Sequence, residues 1–244
     1  MSNPAINALY VHIPFCHRIC PFCSFAVRKN RPSVHREYLE AVLLETRRRI
    51  HVNTINDLES LYIGGGTPSV LSSTEIIFLM QGIRQSWPLS KQCQVSLECN
   101  PEDIQPNYLG TLLHSGVNRL SIGVQSFQQE FLQSLGRNHT VEHLRQNLIA
   151  LRDVGWTNVN VDLMFGLPNQ TLAQFQFDVN KALEWEPTHL SFYALELVEH
   201  TPYGKSQRIR KSWQEAQEIT TDMFLWATNY LEDNGWGISL SFFV

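Results

Sequence analysis

The chain has 244 residues, 43% of them apolar and 17% charged, with a formal net charge of −4. That length and composition fit one large α/β domain with its own core and exclude disordered and fibrous classes. The acidic balance leaves no nucleic-acid footprint, and no stretch is long and apolar enough to span a membrane.

The N-terminal segment MSNPAINALYVH has neither a charged start nor an apolar signal region, which predicts a cytoplasmic protein. Five cysteines occur, three of them within eight residues. In a reducing compartment such a cluster reads as metal-binding rather than as a disulfide frame.

In chain order, a strand is expected over 9–13, followed by the cysteine-rich loop. A helix follows, with Val34, Tyr38, Ala41 and Val42 on one face. It carries Glu37, Glu40 and Glu45 early and Arg47-Arg48-Arg49 at its end, the polarity that complements a helix dipole, so the arginines read as a solvated helix end. A strand over 60–64 runs into Gly65-Gly66-Thr67, and Ser72 with Glu75 forms a capping box for the next helix. Strands over 94–98 and 119–124 end at Asn100-Pro101 and Gln125-Ser126. Thr140 caps a helix whose apolar face is Val141, Leu144, Leu148 and Leu151, and Gly155 stops it. A strand over 159–165 ends at Gly166-Leu167-Pro168, and Leu172, Phe175, Val179 and Leu183 mark a further helix. The sixth strand covers 189–194. A last helix carries Ala216, Ile219, Met223, Ala227 and Tyr230 and ends at Gly235.

The strands are rich in Val, Ile, Leu and Phe, as strands buried on both faces tend to be. Six β–α units in a row imply a parallel sheet with right-handed crossovers, either doubly wound or a partial barrel. In both cases the functional residues belong where strands end and loops begin.

The loop reads Cys16-His17-Arg18-Ile19-Cys20-Pro21-Phe22-Cys23. A structural zinc site wants four ligands; Cys93 and Cys99 lie far off in sequence, and His17 adjoins Cys16 too closely to share its ion. Three thiolates suit a [4Fe-4S] cluster with one iron left for an external ligand. Zinc and buried structural cysteines remain the alternatives at this point. Cys93 and Cys99 read as core or strand-end residues.

C-x3-C-x2-C after a strand of type Tyr-Val-His-Ile-Pro resembles the signature of the radical S-adenosylmethionine (SAM) proteins. The resemblance implies a [4Fe-4S] cluster on Cys16, Cys20 and Cys23, with SAM chelating the open iron and yielding a 5′-deoxyadenosyl radical when the cluster supplies an electron. It implies SAM contacts from Gly65, Gly66 and Thr67, from Glu98 at the end of the third strand, from Gln125, and from Arg137, whose guanidinium suits a carboxylate. Asp162, within an apolar strand, needs a polar partner of the same kind. Tyr10 and Phe22 match positions near SAM, and Ala194 matches one near its adenine. His139 is expected to pack or cap a loop.

The ordered motifs, from Tyr10 to about Pro202, resemble the branch that contains oxygen-independent coproporphyrinogen III dehydrogenase and the HemW-type heme chaperones. The fold implied is an incomplete (β/α)6-type, TIM-like barrel. The dehydrogenase motif continues with a cysteine two residues after the third; Phe25 stands there instead, in Cys23-Ser24-Phe25, which resembles the chaperone group. The resemblance thus implies a heme chaperone with heme as cargo, heme-acceptor proteins as partners, a flavodoxin- or ferredoxin-type reductant, and membrane association only through acceptors. The alternatives are the dehydrogenase and a non-catalytic Fe–S or zinc module. His12, His17, His114 and His200 are candidate axial ligands that read first as structural. Family members continue beyond the barrel, so residues 1–244 read as a radical SAM core truncated before a C-terminal domain.

Overall fold

The computed structural model describes residues 6–50 and 55–239, with side chains in the second strand from Asp57 onward. The apolar segment 240–244 and the first five residues lie outside the described residues.

Six strands form one sheet: β1 (Ile6–Ile13), β2 (Ile55–Gly65), β3 (Leu89–Cys99), β4 (Arg119–Gln125), β5 (Val159–Phe165) and β6 (His189–Ala194). They lie side by side in chain order and pair in parallel throughout. A doubly wound sheet reverses its strand order at a switch point; this one never does. The sheet therefore curls one way into a half-barrel, the TIM-like alternative of the two that periodicity left open. The C-terminal end of each strand falls within one residue of its expected place. β2 and β3 begin about five residues earlier than expected, because polar residues such as Asp57, Glu59 and Lys91 mask their extended backbone.

The helices are α1 (His35–Ile50), α2 (Ser73–Ser86), α3 (Pro106–His114), α4 (Gln129–Ser134), α5 (Val141–Asp153), α6 (Leu172–Leu183), α7 (Pro202–Lys205), α8 (Gln207–Glu215) and α9 (Gln217–Asp233). The Ser72–Glu75 box caps α2, and Thr140 caps α5 with His143 as its reciprocal partner. Gly155 and Gly235 follow their helices at φ +68° and +82°, as helix stops do. Val34 sits in an exposed turn before α1, and Ala41, Val141 and Ile219 are exposed, so four expected face residues lie off the buried stripes. The short α3, α4, α7 and α8 carry no apolar period long enough to be read in advance.

The two faces of the sheet differ. Val11, Ile13, Leu61, Ile63, Leu97, Ile122, Val161 and Leu163 point to the helix side and join one continuous core with residues of α1, α2, α5 and α6. Fully burying one such side chain is worth about 1.5–3 kcal/mol. Alternate residues point to the concave side and are mostly polar. The register lines up Tyr10 with Tyr62 and Ser96, and Glu98 with Ser121, Asn160 and His189; Asp162 faces Ser191. The expectation of strands buried on both faces holds for the central strands, where Ser96, Ser121, Asn160 and Met164 are buried on the concave side, but that side is largely polar, and the main apolar core lies on the helix side. A small second cluster, Phe131, Leu135, Met164, Leu167, Leu195 and Tyr203, packs beneath Phe22 of the cysteine loop.

Candidate functional site

The cysteine loop leaves β1 and is held from three sides. A two-residue parallel ladder pairs Phe15 and Cys16 with Arg28 and Lys29, and the Asn30 N–H donates to the Cys16 carbonyl at 2.8 Å. The Tyr203 N–H donates to the Pro21 carbonyl at 3.0 Å, and the Phe22 and Tyr203 rings lie 6.3 Å apart. His17 meets Asp103 at 3.0 Å, and Asp103 also accepts from the Ser69 hydroxyl at 2.6 Å.

Cys16 is buried, while Cys20 and Cys23 are half-buried, and all three are free thiols. Burial pushes the Cys16 and Cys23 thiols up; Cys20 adds to both, which places the three in one electrostatic neighbourhood. Among the described residues no three His, Cys, Asp or Glu side chains gather as the ligands of one metal ion would. A cluster instead spreads its thiolates over separate irons.

Three further segments close on this loop. The Thr67 hydroxyl lies 3.5 Å from Cys16 Sγ. A Cβ on Gly66 would stand 2.9 Å from Cys16 Sγ and from the Phe15 carbonyl oxygen, so only glycine lets this strand end approach the loop. Gly65 has φ +118°, and a Cβ there would meet the His12 ring at 2.6 Å. Arg137 Nη1 lies 3.6 Å from Cys20 Sγ, while Nη2 donates to Asn100 Oδ1 at 2.7 Å and to the Gly123 carbonyl at 2.9 Å. Its Nε is buried with no partner.

Glu98 accepts from the Tyr62 hydroxyl at 2.8 Å and from the Gly65 N–H at 3.0 Å. Burial raises its pKa despite those bonds. Asp162 accepts from Ser121 at 3.0 Å and from Asn160 at 2.7 Å, and burial together with the negative charge of Glu98 lifts its pKa to about 6. Two carboxylates on one concave face, both held partly toward the neutral form, favour a cationic or hydrogen-bond-donating ligand. Gln125 ends β4 at φ +68°, a left-handed conformation costly for a residue with a Cβ.

Cys16, Gly65, Gly66, Thr67, Glu98 and Arg137 are therefore brought into one contiguous set, with Asp162 on the same concave face within the field of Glu98 and Gln125 beside Gly123 and Arg137. Tyr10 stands at the rim, 56% exposed and stacked on Tyr62. Phe22 sits over the second apolar cluster, and Ala194 ends the far edge strand. Cys93 and Cys99 are core residues as expected, and His139 is buried against the Val124 carbonyl at 3.1 Å. His12 bonds the Ala26 carbonyl at 2.9 Å, and His114 bonds the Gly110 carbonyl at 3.0 Å. Tyr62, Ser121 and Asn160 were not anticipated, and Asn100 was expected only as part of the Asn100-Pro101 strand end. The alternation Tyr62-x-Gly64, Ser96-x-Glu98 and Asn160-x-Asp162 within apolar strands is the signal that marks them.

The sequence profile of the radical SAM superfamily matches residues 10–182. The chain belongs to the radical SAM superfamily. Among curated relatives, the heme chaperone HemW of Lactococcus lactis subsp. lactis (strain IL1403) is 34% identical over 230 residues, covering 94% of this chain and 60% of that protein. The oxygen-independent coproporphyrinogen III oxidase of Salmonella typhimurium is 36% identical over 188 residues, covering 76% of this chain and 41% of the relative. Among solved structures, the radical SAM coproporphyrinogen III oxidase of Escherichia coli superposes with a TM-score of 0.80 at 29% identity, over 94% of this chain and 53% of that one. The chain thus spans only about half to three fifths of the length of the HemW relatives it matches. Among the described residues no helix is long and apolar enough to cross a membrane.

Proposed function

We propose that this radical SAM chain forms the core of a heme chaperone, holding a [4Fe-4S] cluster on Cys16, Cys20 and Cys23 and binding SAM across the strand ends. The fit rests on this chain's own atoms: three free thiols in one neighbourhood, a Gly66 surface that admits no Cβ against Cys16, and the buried, unpartnered Arg137 Nε. When bound, cluster and SAM together supply one-electron chemistry.

The residues bind and orient. Gly65 and Gly66 let backbone approach the ligand. Glu98 and Asp162 offer acceptors to an amine and to ribose hydroxyls, Arg137 offers its guanidinium to a carboxylate, and Gln125 and Tyr10 line the rim. Phe22 and Ala194 contribute apolar surface on either side. The loop's ties to Asp103, Asn30 and Tyr203 hold the thiols in place and limit water.

The observation that carries the chaperone reading over the dehydrogenase is Phe25. It is 68% exposed on the cysteine loop, where the dehydrogenase motif continues with a cysteine. Heme as cargo, delivery to acceptor proteins and a cytoplasmic location belong to the same proposal. The test is a heme titration of the anaerobically reconstituted protein beside a porphyrinogen turnover assay with SAM and reductant. Saturable heme binding without decarboxylation is expected; coproporphyrinogen decarboxylation would assign the chain to the dehydrogenases instead.

A further inference from the structure

Three polar side chains from three different strand ends and loops join two of the cysteines. Arg137 Nη2 donates to Asn100 Oδ1 at 2.7 Å, Asn100 Nδ2 donates to Thr67 Oγ1 at 3.3 Å, and the Thr67 hydroxyl faces Cys16 Sγ at 3.5 Å. At the other end, Arg137 Nη1 faces Cys20 Sγ at 3.6 Å. Asn100 is the middle link, and it touches neither sulfur itself.

The direction of each bond follows from the donor inventory. A guanidinium only donates, so the amide must turn its oxygen to Arg137 and its nitrogen to Thr67. The Thr67 hydroxyl has one proton. With an amide N–H already on its oxygen and no acceptor on that nitrogen, the proton is left for Cys16. The backbone of Asn100 is tied down as well. Its N–H donates to the Ser69 hydroxyl at 3.0 Å, its carbonyl accepts from the Asp103 N–H at 3.0 Å, and Ser69 donates to Asp103 at 2.6 Å. The Gly123 carbonyl, 2.9 Å from Arg137 Nη2, anchors the far end.

We infer that Asn100 is a positioning residue for the cluster: acting through Thr67 and Arg137, it aims one hydrogen bond at Cys16 and another at Cys20, and so raises the cluster's reduction potential. The inference rests on the proposed cluster. Hydrogen bonds to cluster sulfurs favour the reduced, more negative state, and partners outside the ligand set tune a metal centre in this way. Donors linked head to tail polarise one another, so the Arg137 charge strengthens the Thr67 bond. An asparagine that only packed the third strand end would leave the potential unmoved.

The test is a mediated dithionite titration of the anaerobically reconstituted protein, read by electron paramagnetic resonance. Each [4Fe-4S]2+ cluster takes one electron from dithionite, with no cluster bond made or broken. SAM is left out, so that its proposed contacts with Thr67 and Arg137 do not enter. Four proteins are compared: the unmodified chain, Thr67→Val, Asn100→Asp and the double variant. Valine removes the hydroxyl. Aspartate keeps an oxygen for Arg137 but has no Nδ2, so the Thr67 proton turns to the carboxylate and leaves Cys16. Both single variants should have a lower potential. Because both lose the same bond, their shifts should not add, and Asn100→Asp should move the potential less in the Thr67→Val background. Thr67→Ser keeps the hydroxyl and should keep the unmodified potential.

An unchanged potential in Thr67→Val would overturn the inference. So would fully additive shifts, which would mean that aspartate acts by its charge alone. Should Asn100→Asp fold poorly in thermal melts of the cluster-free chain, Asn100→Ala takes its place in the cycle, with the same non-additivity expected. Iron per chain is counted separately. An unmodified chain that binds no iron would sink the proposed function and this inference with it; full iron with additive shifts would sink this inference alone.

Discussion

Gly66→Ala probes how tightly the second strand end is fitted against the cysteine loop. The added methyl would stand 2.9 Å from Cys16 Sγ, from the Phe15 carbonyl oxygen and from the Pro14 carbonyl carbon, and two of those three atoms are backbone. Backbone cannot swing aside as a flexible side chain can, so the loop itself must shift, at a cost of about 1–3 kcal/mol for overpacking. At roughly 2–4 °C per kcal/mol for a chain of this size, Tm should fall by about 2–12 °C. Because Cys16 moves with the loop, iron and sulfide retained after anaerobic reconstitution should fall as well. Gly110→Ala is the control: nothing lies within 4 Å of its added methyl, and Gly110 sits inside α3. Alanine there should stabilise by about 0.5–1 kcal/mol. Thermal melts and iron analysis on the two variants read both effects. A Gly66→Ala protein with unchanged Tm and full iron content would refute the reasoning, since the loop would then have slack that the geometry denies.

Glu98→Gln keeps the Tyr62 contact but removes the charge; it should weaken SAM binding at least about tenfold while leaving iron content intact, as equilibrium dialysis on the reconstituted protein would show. Arg137→Lys removes the planar fork that spans Asn100, Gly123 and Cys20, and a similar loss of SAM affinity with faster cluster loss in air is expected. Asp178 accepts from the Ser126 hydroxyl and the Phe127 N–H, yet burial holds its pKa at about 6. Its unfolded pKa is about 3.9, so the folded state binds the proton more tightly. Stability therefore falls as pH rises from about 4 to about 6, by up to about 3 kcal/mol. Asp178→Asn should flatten that slope in urea melts of the cluster-free chain, leaving the part contributed by Asp162. A slope unchanged by the substitution would contradict the burial argument.

Much of this was legible in the residues themselves. The six strand ends, the Ser72 and Thr140 caps and the stops at Gly155 and Gly235 follow from local chemistry that tertiary context did not override. So did the cysteine spacing. The starts of β2 and β3 were hidden because charged residues such as Asp57, Glu59 and Lys91 interrupt the apolar pattern, although Leu58 between the first two is fully buried. The polar concave face was missed for a different reason. Tyr62, Ser121 and Asn160 each look like an isolated polar residue within an apolar run, and only the interstrand register gathers them around Glu98 and Asp162. The ties from Asp103 and Tyr203 to the cysteine loop join residues 86 and 182 positions apart, a pairing that no local pattern encodes.

The central claim is that Cys16, Cys20 and Cys23 hold a [4Fe-4S] cluster whose open iron binds SAM. It is tested most directly by electron paramagnetic resonance of the anaerobically reconstituted, reduced protein with and without SAM. A [4Fe-4S]+ signal that changes when SAM is added is the predicted result. A protein that forms no cluster, or one whose signal ignores SAM, would contradict the account.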